Sequence, residues 1–183
     1  MQRGQIAIVL IVGVAIAMAG YTCWHQYRKG YQALRFWGQQ SATLIRHAPQ
    51  VELLKLAGDR QADDEVFIGN AAPLSVLRIG DQDVPVLQRD DISTMRGLVH
   101  ARHTLIVDRN FDWQQPVTNL ATDWDFALRF SDQQQQVTLV FSLHQRVVRS
   151  LDHDRQLKMN EALDRIVEFF QPQLDLQVDK PGP

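Results

Sequence analysis

The sequence predicts an α+β fold: an N-terminal transmembrane helix, then a small antiparallel sheet packed against helices on one face. Three observations predict it. Ile6–Gly20 (IAIVLIVGVAIAMAG) is an unbroken apolar run. WDFALRF (124–130) and VTLVFSL (137–143) alternate apolar and polar residues on either side of SDQQQQ, the period of two expected of a half-buried hairpin. Met159, Leu163, Ile166 and Phe170 recur at helical spacing and give one apolar stripe.

With Tyr21, Thr22, Cys23 and Trp24 the uncharged stretch lengthens to 19 residues. A helix needs about 20 such residues to cross a bilayer. Arg3 precedes the run, while His25, Arg28 and Lys29 follow it. Tyr21, Trp24, Tyr27 and Tyr31 sit where an interfacial aromatic belt is expected. The expectation is a retained single-pass membrane anchor over residues 1–29 that meets the lipid bilayer through residues 6–24. Basic residues flank both ends, so the side of the soluble domain stays open. A cleaved signal peptide is the alternative, with Ala17-Met18-Ala19 as its small-x-small site. Aromatic and uncharged residues running past that site favour the anchor. Residues 30–178 are expected to form a single α+β domain, and 179–183 (DKPGP) a disordered tail.

Charge is divided unevenly. Residues 1–51 hold Arg3, Arg28, Lys29, Arg35 and Arg46 and no Asp or Glu, whereas the remainder carries net −7. A net-acidic body argues against nucleic acid, because phosphate backbones require a basic surface. Cys23 is the one cysteine, so an internal disulfide is impossible. It lies in or beside the apolar run, which makes it a poor nucleophile candidate.

From Trp24 to His47 the pattern is helical. Tyr27, Tyr31, Leu34, Trp37, Ser41, Leu44 and Ala48 form one stripe, with Gly30 and Gly38 as weak points and Pro49 as the stop. VELLKL (51–56), VFIGN (66–70), LSVLRI (74–79) and VPVLQ (84–88) read as strands. GDRQADDE (58–65) reads as a solvated acidic loop without the ligand alternation of a calcium loop. Gly80-Asp81-Gln82-Asp83 is a turn signal. RVVRSL (146–151) adds a third strand to the hairpin. Asp152 or Asp154 is then expected to cap the last helix, and Pro172 to stop it.

LVHARHTLIVDRNFDW (98–113) is the densest polar and aromatic stretch. Asp91 or Ser93 is the expected cap of a helix there, with Gly97 weakening it. His100 and His103, three apart, have the spacing to meet one metal ion, with Asp108 or Asp112 as a further ligand. A histidine held by a carboxylate also suits acid–base chemistry, with Arg102 nearby. The pattern His-Glu-x-x-His is missing, as are a nucleophile elbow, a phosphate-binding loop and a dinucleotide fingerprint. The favoured account is structural. Leu98, Val99, Leu105, Ile106 and Val107 pack inward, Arg102, His103 and Arg109 face water, and His100 is a hydrogen-bonded histidine at the core edge. No catalytic residue and no cofactor is expected.

FWGQQSATLIRHAPQVELLKL (36–56), GLVHARHTLIVDRNFDW (97–113) and the WDFALRF…VTLVFSL hairpin resemble small membrane-associated proteins of planctomycete bacteria. Those join an N-terminal hydrophobic segment to a small α+β domain. The resemblance spans about residues 34 to 170 and implies a bacterial, membrane-associated setting. It brings no activity, cofactor or site residue with it.

Function follows from these readings. The favoured expectation is a non-enzymatic interaction or accessory domain held at the membrane. It meets a protein partner through the exposed sheet edge or the 24–47 helix, with Leu34 and Trp37 on the docking face. The alternative is a small-ligand or metal-binding domain, or a hydrolase-like enzyme, using His100, His103, Asp108 and Asp112. A structural envelope component is the third.

Overall fold

The structure is a computed structural model that describes residues 2–29, 32–58, 73–115, 117 and 121–174, with the side chains of the first helix described from Leu10 to Trp24. In chain order its elements are α1 (Gln2–Lys29), α2 (Gln32–Trp37), α3 (Gln39–His47), β1 (Gln50–Leu56), β2 (Ser75–Ile79) and β3 (Gln82–Asp91). Then come α4 (Leu98–Thr104), a 3-10 turn (Asp108–Asn110), β4 (Phe126–Ser131), β5 (Gln136–Ser142), β6 (Val147–Ser150), β7 (Arg155–Lys158) and α5 (Ala162–Leu174). The seven strands make one sheet in the order β2-β3-β1-β4-β5-β6-β7, and every neighbouring pair is antiparallel.

Alternation sets the register of the central strands. Leu53 faces Leu128, and Leu128 faces Leu139, so one apolar row crosses β1, β4 and β5. Beside it Phe126 faces Phe141, with the rings stacked at 4.6 Å. Helices α3, α4 and α5 cover this face with Leu44, Ile45, Leu98, Ala101, Leu163, Ile166 and Phe170. Each such large side chain, fully buried, stabilises the fold by roughly 1.5–3 kcal/mol.

The helices cover one face of the sheet, and the other face is buried as well. The sheet curls into an antiparallel half-barrel, and its second face buries a separate cluster: Leu54, Leu56, Leu77, Ile79, Val84, Val86, Ala127, Val140 and Val147, with Ala121 and Trp124 over it. Trp124 precedes β4 and sits in this second cluster, not on the expected shared face with Phe126, Leu128 and Phe130. The curl brings β6 to the β2–β3 turn. A Cβ on Gly80 would lie 3.2 Å from Arg149 Nη2, and Gly80 has φ +63, so both space and backbone call for glycine. Arg149 is only 4% exposed and pairs with Asp154.

The transmembrane reading is also corrected. Among the described residues no helix is long and apolar enough to cross a membrane, so the single-pass anchor and the membrane localisation built on it are unsupported.

Smaller departures have local causes. The 24–47 stripe is broken at Gly38, whose φ of +80 ends α2 and starts α3 in a new direction. Trp37, Ser41, Leu44 and Ala48 are nonetheless all buried. The final helix starts at Ala162, whose N–H is bonded to Asn160 Oδ1. The strand β7 intervenes, so neither Asp152 nor Asp154 caps that helix: Asp152 Oδ2 accepts the Thr138 N–H at 3.0 Å. Pro172 lies inside α5, which continues to the buried Leu174. The expected loop 59–65, strand 66–70 and tail 179–183 lie outside the described residues.

Candidate functional site

The 98–113 stretch folds as α4, a tight bend and the 3-10 turn, and its polar groups are mostly turned to the chain itself. Leu98, Ala101 and Leu105 are buried, which fixes the inward face of α4. That leaves His100 and His103 exposed. Val99, expected to pack inward, is 67% exposed. His100 is therefore no core-edge histidine. The helix begins at Leu98 after Gly97, later than expected, because Asp91 and Ser93 are engaged elsewhere. Asp91 Oδ1 accepts the Ser93 N–H at 2.9 Å, and Ser93 Oγ accepts the Val51 N–H at 2.8 Å.

Arg102 does not simply face water. Its guanidinium donates to Arg46 O at 3.0 Å and Ala48 O at 2.9 Å, closing the open carbonyl end of α3, and it lies 5.9 Å from the centre of the Phe130 ring. Burial lowers its pKa from the ordinary arginine value.

Asp108 is a helix cap supplied from a distant part of the chain. Its carboxylate accepts the N–H of Gln32 at 3.0 Å and of Ala33 at 2.7 Å, the open donors at the start of α2. Asp112 Oδ1 accepts the Gln114 N–H at 3.0 Å in a local turn. His100, His103, Asp108 and Asp112 thus serve different places. Among the described residues no group of three His, Cys, Asp or Glu side chains is placed to hold a metal ion.

The same stretch ties the helices together. Trp37 Nε1 donates to Leu105 O at 2.8 Å, Trp113 Nε1 to Asp108 O at 2.8 Å, and Asn110 Nδ2 to Thr104 O at 2.8 Å. Phe36, Trp37, Phe111 and Trp113 meet edge-on around this knot, with ring centres 4.8–6.1 Å apart. Trp37 is 0% exposed, so its expected place on a docking face is corrected.

One pairing escaped the sequence. Ser41 Oγ lies 3.0 Å from His153 Nε2, joining α3 to the β6–β7 turn. The partners are 112 residues apart, and no motif links them. Ser41 is buried, and among the described residues no carboxylate hydrogen-bonds His153. The pair is a tether and lacks the third member of a catalytic triad.

No family model matches the chain, and neither a curated protein nor a solved structure is similar to it. The planctomycete resemblance receives no support from these comparisons.

Proposed function

We propose that this chain is a non-enzymatic interaction or accessory domain whose α1 is covered by an apolar partner. One observation carries the reading: Leu10, Ile11, Val12, Val14, Ile16 and Met18 are each 51–68% exposed. Nothing among the described residues packs over them. Consecutive exposed positions point in all directions around a helix, so no single face of α1 is turned to the body. Apolar surface of this extent is seldom left to water and marks a contact.

A second surface supports the same reading. In the β2–β3 ribbon Val76 faces Pro85, and Leu74 and Leu87 flank them; Leu74, Val76 and Leu87 are exposed at the end of the sheet. This is the sheet edge that β-strand addition uses.

The test is the size of the full chain in detergent-free buffer, with wild type compared with Ile11→Asp/Val14→Asp. The expected wild type is self-associated or bound to a co-purifying protein, and the double variant is a monomer with unchanged tryptophan circular dichroism. Flotation with phospholipid vesicles reads contact between residues 6–24 and lipid, and so separates a lipid cover from a protein one. A wild type that is monomeric and does not float refutes the proposal.

A further inference from the structure

We draw no further inference here: the strongest candidate, the end strand β2 with Leu74, Val76 and Leu87 exposed at that edge of the sheet, carries nothing beyond the interaction reading, because nothing among the described residues shows what covers it.

Discussion

Replacing Asp108 with alanine removes two hydrogen bonds that begin α2, to the N–H groups of Gln32 and Ala33. Loss of a helix cap costs about 1 kcal/mol, up to about 2. A carboxylate near a helix N-terminus adds a favourable charge interaction, so roughly 1–2 kcal/mol is expected for Asp108→Ala. A body of this size loses about 2–4 °C of melting temperature per kcal/mol, which predicts a fall of about 2–8 °C. Asp108→Asn costs less. Its amide oxygen still accepts from Ala33, while its NH₂ meets the Gln32 N–H donor to donor. His100→Ala and His103→Ala, both exposed, shift stability by no more than about 0.5 kcal/mol. Thermal and urea unfolding of the four variants give the comparison. An Asp108→Ala chain as stable as wild type refutes the capping role. A metal whose binding is lost equally in His100→Ala and Asp108→Ala refutes the separation of these residues.

Arg102→Met keeps much of the side-chain volume but strips the donors from the Arg46 and Ala48 carbonyls; unfolding is expected to show a loss of about 1–3 kcal/mol. Gly80→Ala places a Cβ 3.2 Å from Arg149 Nη2 at a φ of +63; it should destabilise by about 1–2 kcal/mol in urea unfolding, and Arg149→Ala in the same chain should remove only the steric part. Leu53→Ala and Leu54→Ala test the two-faced sheet, since these neighbours point to opposite clusters; both should cost about 2–5 kcal/mol, whereas a one-faced sheet predicts a large effect for one alone. The Asp91 pKa is lowered from 3.8 by the Ser93 hydroxyl and then by the Ser93 N–H. A depressed carboxylate contributes stability above its unfolded value that fades as pH falls through the folded one. The acid limb of a pH–stability curve should therefore flatten in Asp91→Asn, and an unchanged slope below about pH 4 refutes this contribution.

The sheet was legible where one face dominates the sequence. Phe126, Leu128 and Phe130 alternate with Val137, Leu139 and Phe141 across the turn, and the two runs pair as read. Leu163, Ile166 and Phe170 were legible too, because helical period and burial coincide there, but Met159, read on the same stripe, precedes the helix in a bridge to Phe111. The strand β7 was illegible: Arg155-Gln156-Leu157-Lys158 offers one buried apolar side chain, and its pairing with β6 supplies the rest. The second face was hidden for a related reason. In β4 it is represented by Ala127 beside Arg129, small and charged residues that read as solvent-facing. Ala127 is nonetheless buried, because the sheet curls and brings Arg149 beside the Gly80 turn, far apart in sequence.

The 98–113 stretch shows how the same residues support two readings until partners are known. Two histidines, two arginines and two aspartates within sixteen residues have the composition of a reactive site. Composition does not say which way a side chain points, and burial of Leu98, Ala101 and Leu105 turns both histidines outward. Nor does it say what a carboxylate bonds. Asp108 meets backbone N–H groups 75 and 76 residues earlier, a separation that no local motif covers. Arg102 likewise closes a helix that ends before β1 begins. The polar density arises because one segment must terminate α3, start α2 and carry the chain toward β4. Each task needs a charged or amide group at a helix end, where four backbone groups lack internal partners. A cluster of such residues at a junction of short helices is what those open ends require. Reactive chemistry demands more: side chains converging on a common point with room for a substrate, and His100, His103, Asp108 and Asp112 do not converge on one ion.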